Sequence, residues 1–144
     1  MPLEKIFDEK DDPRYKECKW SIYGYVGGNN KCKVWEYLSK MSNVSAQHKI
    51  IEKLEELAFK GPDELAPPSF DEAGDSNKDF IMYRIRKGQD RLYLAIQRSK
   101  KKVILTSGAK KKTDKTSQKD KNEFQHITNK ILQEEKGGTN GALQ

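Results

Sequence analysis

Histidine is almost missing from this chain of 144 residues: only His48 and His126 are present. The side chain most often used to move protons near neutral pH is therefore confined to two positions. Cysteine is as scarce. Cys18 and Cys32 make no disulfide framework, and neither stands in a CxxC or Cys/His cluster, so no zinc site of standard spacing exists. They read as reduced thiols; a Cys18–Cys32 disulfide has no support, and no metal or other cofactor is expected. No run of 18 apolar residues occurs, which excludes a membrane-spanning helix and any membrane role built on one. The opening stretch MPLEKIFDEKDD has no apolar core and does not read as a secretory signal, so a cytoplasmic protein is expected. There is no P-loop, no GxSxG and no HExxH. Glu52, Glu55 and Glu56 are spaced as a solvated helix face rather than as a carboxylate dyad.

What the chain has in abundance is charge, unevenly placed. It carries 28 Lys/Arg and 22 Asp/Glu, a net of +6. From Phe80 to Lys121 the count is 14 to 3, a net of +11, which leaves the remainder at −5. A solubilising surface mixes its signs; this segregation points to a polyanionic partner.

The basic half is organised by alternation. Phe80 to Arg86, Arg91 to Arg98 and Val103 to Ser107 each alternate apolar and polar residues, joined by Lys87-Gly88-Gln89-Asp90 and by Ser99-Lys100-Lys101-Lys102. Period-2 runs with loops this short predict an antiparallel meander. Ile81, Tyr83 and Ile85 share one face with Leu92, Leu94 and Ile96, and that face needs a cover of helices. Pairing Arg86 with Arg91 across the turn sets Arg84 opposite Tyr93. The face with Arg84, Arg86, Arg91 and Tyr93 is expected to be open to solvent and concave.

Upstream, Trp20 to Val26 reads as a strand that adds to an edge of the meander. Asn30 is the expected cap of a helix from Lys31 to about Met41, and Ser45 of a second helix whose stripe is Ile50, Ile51, Leu54, Leu57 and Ala58 and whose stop is Gly61-Pro62. Together they predict an αα-hairpin. Residues 62–79, with Pro67-Pro68, Gly74 and four acids between Asp71 and Asp79, read as a loop. Ser117 and Asp120 are spaced like a capping box for a third helix with Phe124, Ile127, Ile131 and Leu132 on one side, ended by Gly137-Gly138. Residues 1–19 fit a flexible arm or a short helix, and the sequence leaves both open. The expected class is α+β: an antiparallel sheet of an N-terminal strand plus a three-stranded meander, packed by the αα-hairpin, with a C-terminal helix. The domain is expected over residues 20–136, with a disordered tail at 137–144.

Between Trp20 and Leu132 this pattern resembles the RelE/HigB superfamily of bacterial toxins, in particular its phage-derived HigB-like branch. The resemblance rests on an arginine-bearing strand, Tyr83-Arg84-Ile85; on an arginine followed by an aromatic in the next strand, Arg91-Leu92-Tyr93; and on Ser107-Gly108-Ala109-Lys110-Lys111-Lys112-Thr113, where the family shows an hGFxKKT-like segment before a helix. The family's His and Phe in that segment are Ser107 and Ala109 here. The resemblance implies a RelE-like fold and a toxin of a type II toxin–antitoxin system. It implies a ribosome-dependent mRNA endoribonuclease, with mRNA and the ribosome as targets and a cognate antitoxin as protein partner.

Metal-independent RNA cleavage needs a proton taken from the 2′-oxygen, charge stabilised on the phosphate, and a proton given to the 5′-oxygen. Both histidines fall in expected helices outside the meander, which leaves Arg, Lys and Tyr. Arg84 and Arg91 are suited to transition-state charge. Tyr93 is suited to stacking on a base or donating its phenol proton. One of Lys110, Lys111 and Lys112 serves as base if cationic neighbours lower its pKa from about 10.4; Lys111 and Lys112 are the ones assigned to catalysis. Arg86, Arg98, Lys100, Lys101, Lys102, Lys110 and Lys115 are expected to grip the RNA backbone. Two other readings fit the same residues: a non-catalytic RNA- or ribosome-binding module on the same fold, and a nucleoid-type DNA-binding protein. On the enzyme reading, Arg91→Ala is expected to cut mRNA cleavage on translating ribosomes by roughly two to three orders of magnitude, the scale for losing one preorganised charge donor. Full activity in a variant shown to be folded by circular dichroism would remove that arginine from the mechanism.

Overall fold

A computed structural model gives the fold and describes residues 3–28, 30–111, 113 and 115–142. Three alternating runs become three long strands, as their period requires: β4 (Phe80–Lys87), β5 (Asp90–Gln97) and β6 (Lys102–Lys110). Their register sets Arg84 opposite Tyr93 and Arg86 opposite Arg91. Around them the sheet is larger than expected. It has six strands, in the order β1-β2-β6-β5-β4-β3, with β1 at Leu3–Ile6, β2 at Ser21–Tyr25 and β3 at Phe70–Asn77. β2 does join an edge of the meander, but it runs parallel to β6, so the sheet is mixed rather than antiparallel.

Two of the six strands lie where none was expected. β3 occupies part of the segment read as a loop. Its acids Asp71, Glu72 and Asp75 suit an edge strand, where charge discourages pairing with another chain. Its ladder with β4 slips between Glu72 and Ser76, around Gly74. β1 comes from residues read as an arm and pairs antiparallel with β2. After it, a 3-10 turn at Pro13–Glu17 is capped by the Asp12 carboxylate, which accepts from the Arg14 backbone N–H. Tyr15 then packs between Phe7 and Phe59 and donates its hydroxyl to Glu55 at 2.9 Å.

The αα-hairpin is α1 (Lys33–Ser39) and α2 (Val44–Lys60). α1 starts two residues later than expected, at an N-cap Cys32 that makes no side-chain bond. α2 is capped by Asn43 rather than Ser45: the Asn43 side-chain oxygen accepts from the Ala46 backbone N–H at 3.0 Å. Gly61, at φ +90°, stops it. Val34, Leu38, Ile50, Leu54 and Leu57 pack on Tyr83, Ile85, Leu92, Leu94 and Ile96, so the apolar face has the cover it needed.

The opposite face corrects the largest expectation. It is not open. α3 (Gln118–Ala142) lies across it, with Phe124, Ile127 and Ile131 buried against Phe80, Met82, Tyr93, Ala95 and Ile104. The helix runs on through Gly137-Gly138 to Ala142. The physical reason is that this face is not uniformly polar: Phe80, Met82, Tyr93 and Ala95 share it with the arginines, and α3's stripe buries against them while the hairpin holds the first face. The layers are therefore helix, sheet, helix.

Phe124 is the centre of that second core and is fully buried. Phe124→Ala is expected to destabilise the protein by about 3–5 kcal/mol, read as a lower urea midpoint with an unchanged slope. A loss below about 1 kcal/mol, the range of exposed positions, would mean that α3 does not cover the sheet in solution.

Candidate nucleic-acid site

β2 follows β6 only part of the way. The pairing runs from Ser21–Lys102 to Gly24–Leu105 and stops. Beyond it, the last residues of β6 form a free edge, and a groove of about 450 Å³ opens there between α1 and the first turns of α3. A bulge prepares this segment. Tyr93 pairs with Ser107 while Leu94 pairs with Leu105, so Thr106 is the extra residue and everything after it is turned over. Ser107 then faces α3, and Gly108 faces α1.

On the α1 side Tyr37 closes down on the strand. A Cβ at Gly108 would lie 2.6 Å from the Tyr37 ring, so only glycine admits this approach. The Tyr37 hydroxyl donates to the Asp90 carboxylate at 2.5 Å. Burial first, then the bond to Asp90 and its negative charge, push the Tyr37 phenol well above the ordinary tyrosine range, so it stays protonated as a donor. On the α3 side Asp120 is the key group. It is buried, and its Oδ2 accepts from Ser117 Oγ at 2.6 Å and lies 2.9 Å from the Lys111 ammonium; its Oδ1 is 3.4 Å from Ser107 Oγ. The Asp120 backbone N–H donates to Ser117 Oγ, so the capping pair expected from the sequence forms and also anchors a lysine in the groove. Lys33 reaches Glu123 at 3.7 Å across the mouth, and Lys40 and Lys119 complete the rim.

The residues singled out by sequence are distributed as follows. Arg84 is buried, and its guanidinium grips Asp71 with two bonds, Nε to Oδ1 at 2.7 Å and Nη2 to Oδ2 at 3.1 Å. Arg86 donates to the Pro68 carbonyl at 2.8 Å and approaches the same carboxylate at 3.5 Å. Arg91 is buried, with Nη1 donating to the Gly88 and Asp90 carbonyls. Tyr93 has no exposed surface, and burial raises its phenol pKa, with the Asp120 charge adding to the rise and Lys111 and Arg84 opposing it. Thr116 stands beside that hydroxyl without closing a hydrogen bond of ordinary geometry. Thus the expectation of Arg84, Arg91 and Tyr93 on an open concave face is corrected: the three sit together beneath α3 and the segment before it. Lys112 lies outside the described residues.

The backbone-gripping set divides between two ends of the sheet. Lys110, the last residue of β6, and Lys115 are exposed. Arg98, Lys100, Lys101 and Lys102 sit at the other end of β6, eight residues or roughly 26 Å away. There Arg98 pairs with Asp63 at 3.0 Å, and Lys100 and Lys102 share Glu135 at 3.0 and 3.5 Å. Lys101 forms the left-handed residue of the turn. Neither histidine lines the groove. Sequence reasoning missed Tyr37 altogether as a site residue and places Asp90 only in the β4–β5 turn. It saw Asp120 only as a helix cap. The one available signal was the Ser107-Gly108 break beside a lysine run.

The described residues hold no cluster of His, Cys, Asp and Glu fit for a metal ion, and no helix among them is long and apolar enough to cross a membrane. The family model described as Phage derived protein Gp49-like (DUF891) matches residues 36–127, well over half of the chain. That stretch runs from α1 through β6 into α3 and includes every side chain of the groove except Lys33. No curated protein and no solved structure matches the chain.

Tyr37→Phe deprives the buried Asp90 of its partner and is expected to cost about 1–3 kcal/mol at neutral pH. Because the folded phenol pKa is raised, this contribution is complete below the ordinary tyrosine pKa of about 10 and is lost as pH rises through the folded value. Chemical denaturation of both proteins at neutral and alkaline pH should show the difference shrinking only on the alkaline side. A difference that grew with pH would contradict the assignment of the proton to Tyr37.

Proposed function

We propose that this chain, which belongs to the Gp49-like family of phage-derived, toxin-like proteins, is the toxin of a type II toxin–antitoxin pair. On this reading it is a cytoplasmic, metal-independent mRNA endoribonuclease of the RelE/HigB type, acting on ribosome-bound mRNA and held in check by a cognate antitoxin. The observation that carries it is the Lys111–Asp120 pair, a cation and a buried carboxylate 2.9 Å apart on the wall of an open groove at the free edge of β6.

That pair can run the reaction without histidine. A phosphodiester entering the groove competes with Asp120 for the Lys111 ammonium. Asp120 accepts the proton of the 2′-hydroxyl, and the 2′-oxygen attacks phosphorus. Lys111 neutralises the developing charge and gives a proton to the departing 5′-oxygen as the P–O5′ bond breaks. The products are a 2′,3′-cyclic phosphate and a 5′-hydroxyl, and a proton passed from Asp120 to Lys111 restores the pair. Arg91, Arg84 and Tyr93 are buried behind this site, and Lys40 and Lys119 extend its basic rim.

A specific observation favours a second reading, a non-catalytic RNA- or ribosome-binding module. Arg84 is committed to Asp71, Tyr93 is wholly buried, and no histidine lines the groove. One experiment separates the two. Induced without its antitoxin, the wild type should arrest growth and leave 2′,3′-cyclic ends on mRNA. Lys111→Ala, folded by circular dichroism, should lose cleavage by about two to three orders of magnitude. Binding to ribosomes with no cleaved mRNA in the wild type would establish the second reading instead.

A further inference from the structure

The β4–β5 turn carries a second basic feature that the groove alone does not use. Lys87, Asp90 and Lys110 stand side by side on three adjacent strands, Lys87 opposite Asp90 and Asp90 opposite Lys110. Two strand spacings separate the lysines, roughly 10 Å. All three residues lie on the face of the sheet held by the helical hairpin, just past its end. Two bonds lock this corner to the groove: Tyr37 to Asp90 at 2.5 Å, and the Lys111 backbone N–H to the Gln89 carbonyl at 2.8 Å. Lys87 and Lys110 line one depression at the turn, and Lys87 also lines a second, between α2 and the end of β4, with Lys49, Lys53 and Arg86. The depressions and the groove therefore follow one another around a single corner of the molecule.

Charge is used differently at the two ends of the sheet. At the far end Arg98, Lys100 and Lys102 are all neutralised by carboxylates, Asp63 and Glu135. Lys87 and Lys110 at the turn, and Lys40 on the groove rim, are exposed and belong to no ion pair with the described residues. Asp90, the one acid between them, is buried and engaged by Tyr37. Exposed cations held close without partners repel one another and are relieved by an external anion.

We infer that this corner is the path by which single-stranded RNA reaches the groove: its phosphate backbone crosses Lys87 and Lys110 on the β4–β5 turn, with Lys40 alongside, before meeting Lys111. The inference rests on the RNA reading above and assigns it a surface. Lysine ammonium groups are point charges without a base code, so this path holds any sequence and leaves selection to the site or the ribosome. An acidic protein segment is the other polyanion to consider. Such partners anchor on large apolar side chains, and of the two exposed among the described residues, Trp35 lines a separate groove with Ile6 and Phe7, which leaves Val44.

The test is binding of a short single-stranded 2′-O-methyl RNA of mixed sequence, which keeps the phosphates and cannot be cleaved. Affinity is measured by fluorescence anisotropy across a salt series, for the wild type, for Lys87→Ser/Lys110→Ser and for Lys100→Ser/Lys101→Ser. Loss of two phosphate contacts from a single strand should lower the salt slope of the first double variant by about 1.4, at about 0.7 per contact. The second double variant should keep the wild-type slope, and thermal melting should be nearly unchanged in both. If the wild type binds but the first variant keeps its slope, or the second loses it instead, the path is wrong while the RNA reading stands. If the wild type ignores this RNA and binds polyglutamate, the RNA reading fails and the path with it.

Discussion

Strand β5 is buried at all eight of its positions, from Asp90 to Gln97, and the rest of the molecule follows from that. A strand buried on both faces needs a layer on each side. The αα-hairpin supplies one. The other comes from α3, whose Phe124, Ile127 and Ile131 bury against the sheet. Once α3 crosses the sheet, Arg84, Arg91 and Tyr93 are enclosed, and their charges and hydroxyl must be met from within: Asp71 for Arg84, turn carbonyls for Arg91. Enclosing an arginine is costly unless its donors are satisfied, and the forked contact to Asp71 on the neighbouring edge strand answers that demand. β3 is thus a partner to the arginine strand as well as a sheet edge.

The same packing creates the site. α1 and α3 lie on opposite faces and both extend past the point where β2 leaves β6. The edge of β6 beyond Leu105 is left between two helices, with a carboxylate at the first turn of α3 on one side and a tyrosine from α1 on the other. An acid in the first turn of a helix is favoured by the helix dipole. Asp120 holds the Lys111 ammonium in position at the groove wall before any ligand arrives. The basic residues, contiguous in sequence, separate into a neutralised end at Glu135 and an unneutralised end at the β4–β5 turn. A phosphate backbone is drawn to the second.

Much of this was legible in the sequence, for specific reasons. The period-2 runs gave the three strands, the β4–β5 register and the face that takes the hairpin, but not the bulge at Thr106 that shifts β6 against β5. The stripe of Phe124, Ile127 and Ile131 marked α3 as amphipathic. What was missed was where that stripe goes, because Arg84, Arg86 and Arg91 drew attention from the Phe80, Met82 and Ala95 that share their face. β3 was hidden by Pro67-Pro68, by Gly74 and by acids that suit an edge strand as well as a loop. β1 is four residues long and has no alternation to announce it. Parallel pairing of β2 with β6 depends on the path of the intervening chain, which no local pattern records. At the site, Lys111 was visible as part of a lysine run. Tyr37 and Asp90 were not, since they are 53 residues apart and meet only when α1 packs on Gly108.

The central claim is that polyanion chemistry belongs to the α1–α3 groove at the free edge of β6. The most direct measurement is a map of backbone amide chemical shifts as uncleavable single-stranded RNA is titrated into isotope-labelled protein. The account predicts that the perturbed amides cluster at Ser107–Lys111, at Tyr37 and at Ser117–Asp120. A cluster instead around Arg98–Lys102 and Glu135, with the groove unchanged, would contradict it.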